Sequence, residues 1–398
     1  MLGPCWYGRP RRIRRGAALT LFLAGVLAAG AATGTWDDAG DAAEPAAHGR
    51  PAEDTAADRP AVERAARAAA QAAGDGKSGA QAAADVVSRS GDRWSTVYTA
   101  GEFEDFQAQL DGTYVGVGLW VREQGGGRIT VSRVRPGGPA ARSGIAVGDR
   151  LDAVDGRPAR GRPVTDVVAR LRGDGPAGSG APGTSVRLDL GRGARHWSVT
   201  LRRTRLHSRN VTVDRPYGAD GPTRIKITAF AKGTGAAVRR AVRAADRRGG
   251  LLLDLRGNTG GLVTEAVATA SVFLDGGLVA TYDVDGSQRA LYAERAGDTR
   301  IPLVVLVDGG TMSAAELLSG ALQDRGRAVV VGSPTFGKGS VQMPSELPDG
   351  SVAELTVGHY RTPAGRAVDG TGITPDLLVE DHAEKRARTV LSGLGTGT

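Results

Sequence analysis

From Thr223 to Gly332 the chain alternates short strand-like runs with stretches of helical spacing. That alternation restricts it to a layered α/β domain. Strands are predicted over 224–230, 251–255, 303–308 and 328–332, and helices over 234–248, 262–274 and 314–325. Leu251-Leu252-Leu253 and Leu303-Val304-Val305-Leu306-Val307 carry no polar residue, so both runs must be buried. In such folds functional groups collect beyond the carboxyl ends of the strands. Gly260-Gly261 and Ser313 both fall there.

The N-terminus bounds the compartment. Arg9, Arg11, Arg12, Arg14 and Arg15 precede an uncharged run from Gly16 to Trp36, and no acidic residue occurs before Asp37. A basic start, an apolar centre and small residues around Ala29-Gly30-Ala31 read as an export signal. The run is also about as long as a membrane span, roughly 20 residues, so cleavage and retention as an N-terminal anchor (residues 1–36) both fit. Either outcome puts the body outside the cytoplasm, secreted or membrane-anchored, because the arginines stay inside. Those five arginines account for much of the net charge of +8. The rest shows no basic stripe with interleaved aromatics, and nucleic acid is not an expected partner. The single cysteine, Cys5, precedes the apolar run, so the body can form neither a disulfide framework nor a cysteine metal site.

Residues 37–60, rich in Ala, Asp, Gly and Pro, read as a flexible linker. An N-terminal helical segment is expected over 61–111, with one or two Ala-rich helices broken near Gly74-Asp75-Gly76 and a short helix bearing Phe103 and Phe106 on one face. Residues 112–204 form a separate small β-rich unit, with strand-like runs at 115–121, 128–134, 150–154 and 185–190 and helical spacing at 164–171. The Gly-Pro-Ser stretch 173–183 reads as a loop inside it. The α/β core is expected over 205–380 and a tail over 381–398.

Within the core, three positions could carry chemistry. Ser313 opens a helix just after a buried strand, where free N–H groups and the helix dipole favour an alkoxide and a developing oxyanion. The same position suits a plain N-cap. The glycine pair Gly260-Gly261 lets backbone N–H groups approach a ligand oxygen, and with the Ala314 N–H it could form an oxyanion hole. A strand-to-helix turn would need the same glycines. Lys338 is one of only five lysines among fifty-one basic residues. Lysine, unlike arginine, can be neutral when buried, and a serine with a neutral lysine as base is one way to build a hydrolase. A surface loop would also accommodate Lys338. Gln342, an even offset away on an extended segment, would share its face and could orient the amine. The histidines suggest neither a Ser-His-Asp set nor metal ligation.

In order and spacing these motifs resemble the C-terminal processing peptidases, the tail-specific serine proteases of family S41 that use a Ser/Lys dyad. Asp254-Leu255-Arg256-Gly257-Asn258-Thr259-Gly260-Gly261 is similar to the family's oxyanion strand. Ser313-Ala314-Ala315-Glu316 is similar to its nucleophile motif, and Thr335-Phe336-Gly337-Lys338-Gly339-Ser340-Val341-Gln342 to its lysine motif. Thr362-Pro363-Ala364-Gly365 and Gly372-Ile373-Thr374-Pro375-Asp376 resemble its closing strand and turn. Tyr114-Val115-Gly116-Val117-Gly118-Leu119 resembles the carboxylate-binding loop of a PDZ domain. Thr259 and Ala315 stand where the family often has proline and serine, and 173–183 is longer than the usual turn.

The resemblance implies a crotonase- or ClpP-like α/β protease core with an inserted PDZ domain and N-terminal helices. It implies a serine endopeptidase, with Ser313 as nucleophile, Lys338 as general base, Gln342 as its orienter, and the Gly261 and Ala314 N–H groups as the oxyanion hole. Its partners would be protein or peptide substrates with accessible C-termini, held at Val115, Gly116, Val117 and Gly118 by strand addition. No cofactor and no metal are implied. A catalytically inactive PDZ-containing binding or scaffold protein is the alternative from another class.

Overall fold

The computed structural model describes residues 58–173, 180–218, 221–284 and 287–394. The expected signal or anchor, most of the linker and the middle of the 173–183 loop lie outside the described residues. The core is built on a six-stranded sheet. Its order is Val211–Asp214, Thr223–Ile227, Leu251–Asp254, Leu303–Val307, Val329–Gly332 and Leu377–Leu378. The first pair is antiparallel and the others are parallel.

Alternate residues of these strands enter different cores, as a two-residue period requires. Leu251, Leu253, Leu303, Val305 and Val307 pack with helices Thr234–Ala244, Val263–Phe273 and Ala314–Asp324. Leu252, Val304, Leu306 and Val331 pack on the other face against Ala387 and Leu391. Those two residues belong to helix Ala383–Leu394, so the expected tail covers the sheet's second face. Because neither face meets water, the strands can be wholly apolar, which is why they read so plainly in the sequence.

A second, antiparallel sheet lies on the far side of helix Ala314–Asp324. It contains Thr96–Tyr98, Val352–Arg361, Leu278–Val284 and Ser287–Tyr292, with Ser340–Glu346 paired to Val352–Arg361. Val341 and Tyr360 join the main core, which leaves that helix enclosed between the two sheets. The N-terminal helices Asp58–Gly74 and Gly79–Ser88 supply Ala65, Ala69, Ala83 and Val87 to a cluster with Leu347, Ala353 and Leu355. The N-terminal segment is therefore stitched into the second sheet through Thr96–Tyr98.

The small β-rich unit forms a sheet of Leu119–Gln124, Arg128–Val134, Arg150–Val154, Ser185–Arg192 and Arg195–Arg202, with Arg157–Pro158 added to Arg150–Val154. Helix Val164–Arg172 packs Val167 and Leu171 into its core. The predicted single run 115–121 is split. Thr113–Gly116 pairs with Thr204–His207, and a new strand starts at Leu119. Gly118, at φ +74, makes the break.

Candidate active site

Ser313 sits at the N-cap position of helix Ala314–Asp324, only 1% exposed, with φ 55 and ψ −119. A non-glycine residue held there stores roughly 1–3 kcal/mol of strain. Its hydroxyl has no hydrogen-bond partner, while its backbone N–H donates to the Glu316 carboxylate. A serine kept only as a cap would spend its hydroxyl on the helix; this one leaves Oγ free.

The glycine pair explains how the backbone closes on this turn. A Cβ on Gly260 would lie 2.9 Å from Ser313 Cβ and 3.3 Å from the Ala314 nitrogen. A Cβ on Gly261 would lie 2.4 Å from the Phe230 carbonyl oxygen. Both glycines have positive φ. Asn258 fixes the loop beneath them: its Nδ2 donates to Ile227 O at 3.1 Å, its Oδ1 accepts from Gly260 N at 2.9 Å, and its backbone oxygen accepts from Met312 N at 2.8 Å. None of the backbone bonds of this region uses the Gly261 or Ala314 N–H.

Lys338 is also 1% exposed. Its flanking glycines are needed for close approach: a Cβ on Gly339 would lie 2.3 Å from Asp369 N, and one on Gly337 3.1 Å from Gly370 C. No carboxylate among the described residues forms an ion pair with Nζ. The ammonium position lies 5.3 Å from the centre of the Trp94 ring. Burial pulls the Lys338 pKa down to about 8, opposed by the charges of Glu354, Asp92, Asp369 and Glu316.

Glu316, quoted above only as the end of a motif, joins the two segments. Its Oε2 accepts from Ser313 N at 2.8 Å and from Lys338 N at 2.9 Å. Its Oε1 accepts from Gly337 N at 2.7 Å and Thr335 Oγ1 at 2.5 Å. Burial pushes its pKa up while these four donors hold it down. The Ser-x-x-Glu spacing of a capping box was the available signal; its reach to the lysine loop needed the fold.

Trp94 was also missed. It follows Asp92, whose carboxylate accepts from Trp94 N at 2.9 Å, and its ring meets Phe336 at 5.6 Å. Arg93 donates to Gly337 O at 3.4 Å, so the segment before Thr96–Tyr98 closes over the lysine loop. Gln342 is fully buried near by, but its Nε2 donates to Ser340 Oγ at 2.6 Å and Thr356 Oγ1 at 3.2 Å. It makes no hydrogen bond to Lys338, and its Oε1 has no partner.

In the small unit, Val115, Gly116, Val117 and Gly118 line a cleft of about 480 Å³ together with Leu119, Val168 and Arg172. Val115 and Gly116 are paired with Arg205 and Thr204, whereas Val117 and Gly118 lead into Leu119–Gln124. That strand ends its sheet, leaving one edge open beside helix Val164–Arg172. No cluster of metal-ligating residues occurs among the described residues. Nor is any described helix long and apolar enough to cross a membrane.

Comparison with known proteins finds matches for both the α/β core and the small unit. Residues 223–379 match the model of peptidase family S41, and residues 130–177 match a PDZ domain. The carboxy-terminal processing protease CtpA of Bacillus subtilis is 32% identical over 300 residues, covering 74% of this chain and 62% of that protein. Carboxyl-terminal-processing peptidase 2, chloroplastic, of Arabidopsis thaliana is 33% identical over 314 residues, covering 73% and 58% respectively. The chain thus spans about three-fifths of the length of these curated relatives. Among solved structures, the photosystem II D1 C-terminal processing protease is 28% identical, covering 80% of this chain and 86% of that one, with a TM-score of 0.47.

Proposed function

Because the chain belongs to peptidase family S41 through its α/β core and carries a PDZ domain, we propose that it is a serine endopeptidase that cleaves exported proteins near their C-termini. Ser313 Oγ attacks the scissile carbonyl while Lys338, neutral, takes its proton. The Gly261 and Ala314 N–H groups hold the oxyanion. The Lys338 ammonium then protonates the leaving amine, leaving an acyl group on Ser313. Water, deprotonated in turn by Lys338, hydrolyses the ester and restores the serine.

The observation that carries this reading is that a buried, unpartnered Ser313 hydroxyl and a buried lysine stand on two segments whose backbone N–H groups share one Glu316 oxygen. Free N–H groups at Gly261 and Ala314 support the oxyanion role. For Gln342 the support is weaker, because its amide is engaged by Ser340 and Thr356. Substrate C-termini would add as a strand along the open edge of Leu119–Gln124, with the carboxylate at Val117 and Gly118. The arginine-led N-terminus supports an extracytoplasmic location, secreted or anchored to the cell membrane.

The test is cleavage of a protein carrying an apolar C-terminal tag. Wild type should shorten it; Ser313→Ala should not. A serine-directed phosphonate should form an adduct at Ser313. Binding of the tag without cleavage or adduct would instead mark a non-catalytic PDZ scaffold.

A further inference from the structure

We propose that Glu354 is the charge partner of Lys338, a positioning residue that holds the lysine's cationic form and sets the pH above which it can act as base. The proposal rests on the serine–lysine reading above.

Glu354 lies in strand Val352–Arg361, opposite Thr96 on one side and Pro344 on the other. Two residues on, Thr356 lies opposite Gln342 and accepts from its amide. Residues two apart on a strand share a face, so Glu354, Thr356 and Gln342 point to one side. The intervening Ala353 and Leu355 point the other way, into the cluster with Ala65, Ala83 and Val87. Glu354 is 0% exposed, and neither carboxylate oxygen has a hydrogen-bond partner. A buried carboxylate left this way must be protonated or face a cation.

The groups around it identify the cation. From strand Thr96–Tyr98 the Tyr98 phenol faces the carboxylate without a hydrogen bond of ordinary geometry; burial first, and then the carboxylate, push the phenol's pKa up. From the loop before Ser340–Glu346 comes Lys338, which is outside ion-pair distance of Glu354 but on which Glu354 exerts the largest charge effect. Lys338 also feels Asp92, Asp369 and Glu316 from three other segments. Each of these is already engaged: Asp92 by Trp94 N and Ser95, Asp369 by Gly339 N, and Glu316 by four donors. Glu354 alone accepts no hydrogen bond of ordinary geometry; besides Lys338, only the Tyr98 phenol draws its pKa down. Burial lifts Glu354 to about 7 against the opposing pull of Lys338 and of the Tyr98 phenol. The two groups therefore titrate as a pair over neighbouring pH ranges.

The sign follows. An ionised Glu354 favours Lys338 as ammonium, so removing that charge lets the lysine lose its proton at lower pH. The same charge stabilises the ammonium formed when Lys338 takes the Ser313 proton, so its loss slows the chemical step.

The experiment is the pH profile of kcat and KM from about pH 5 to about 10 for wild type, Glu354→Gln, Glu354→Met and Lys338→Arg, with melting curves for each. The expected result is an acid limb displaced downward by about one pH unit in both Glu354 variants, a several-fold lower plateau kcat, and an unchanged KM. The wild-type limb should itself span two ionisations. An acid limb unmoved in either folded variant overturns the proposal, as does a wild-type limb that fits a single ionisation. If Lys338→Arg is inactive while the Glu354 limb stays put, only this inference fails. If Lys338→Arg is active, the serine–lysine reading fails and takes the inference with it.

Discussion

Ser313 and Lys338, twenty-five positions apart, donate their backbone N–H groups to the same oxygen of Glu316, at 2.8 and 2.9 Å. The two segments that meet at the site are therefore held by one buried carboxylate. Neither side chain is used to make this tie, which leaves hydroxyl and amine free for chemistry.

Glu316→Gln should be far from conservative. Each carboxylate oxygen accepts two donors, so whichever way the amide turns, its NH2 faces two of them. A misplacement on the order of 1 Å can cost about 100-fold in rate, and a loss of that size in kcat is expected. Stability should fall by about 2–5 kcal/mol. Denaturant unfolding and steady-state kinetics check both; wild-type kcat in a folded Glu316→Gln would remove the tie from the account.

Ser313→Gly and Ser313→Ala should separate function from strain. Both lack the nucleophile and should be inactive. Glycine also relaxes the φ 55 backbone, so Ser313→Gly should melt a few degrees above Ser313→Ala, the difference reflecting about 1 kcal/mol or more of released strain. Equal melting temperatures would mean that the turn is unstrained.

Trp94 should set the lysine's desolvation. Trp94→Ala opens the wall over Nζ and admits water, so Lys338 should hold its proton to higher pH. The acid limb of kcat/KM, expected near the lysine's value of about 8, should move up. Trp94→Phe should keep most of the wall and leave the limb in place. This displacement is opposite in sign to that expected for Glu354→Gln, so the two causes can be told apart by direction alone.

The lysine also leaves a signature in stability. Its folded pKa lies below its usual 10.5, so between about 8 and 10.5 the unfolded chain binds more protons, and stability rises with pH across that window. Lys338→Met should remove this rise. A stability profile identical to wild type would mean that Lys338 is not desolvated.

Much of the core was legible because physics leaves little choice there. Leu251–Asp254 and Leu303–Val307 are apolar at every position but one, as strands covered on both faces must be. The strands Arg128–Val134 and Arg150–Val154 were readable from alternation and bounding turns. The hairpin of Leu278–Val284 and Ser287–Tyr292 was not, because the second strand is largely exposed and shows no apolar period. Ser313, Lys338 and the glycine pair stood out by spacing. Glu316, Trp94 and Glu354 did not, since each acts on a residue distant in sequence and only the packed sheets bring them together. Gln342 was legible only as lying on an extended segment; in strand Ser340–Glu346 its amide NH2 is taken by Thr356 and Ser340.

Truncation after Glu380 should show that the C-terminal stretch is structural. It would remove Glu384, which pairs with Arg224 at 3.0 Å and Arg256 at 3.2 Å. It would also uncover Leu252, Val304 and Leu306. Loss of soluble, cooperatively unfolding protein is expected. A truncated chain that melts like the full one would show that helix Ala383–Leu394 is dispensable.

The most direct measurement is the rate of Ser313 modification by a serine-directed phosphonate, located by peptide mass, in wild type and Lys338→Arg. Arginine keeps the positive charge but cannot act as a base. The account predicts an adduct on Ser313 in wild type, and a rate lower by roughly 100-fold or more in Lys338→Arg at unchanged melting temperature. Labelling of Lys338→Arg at the wild-type rate, or an adduct on another residue, would contradict it.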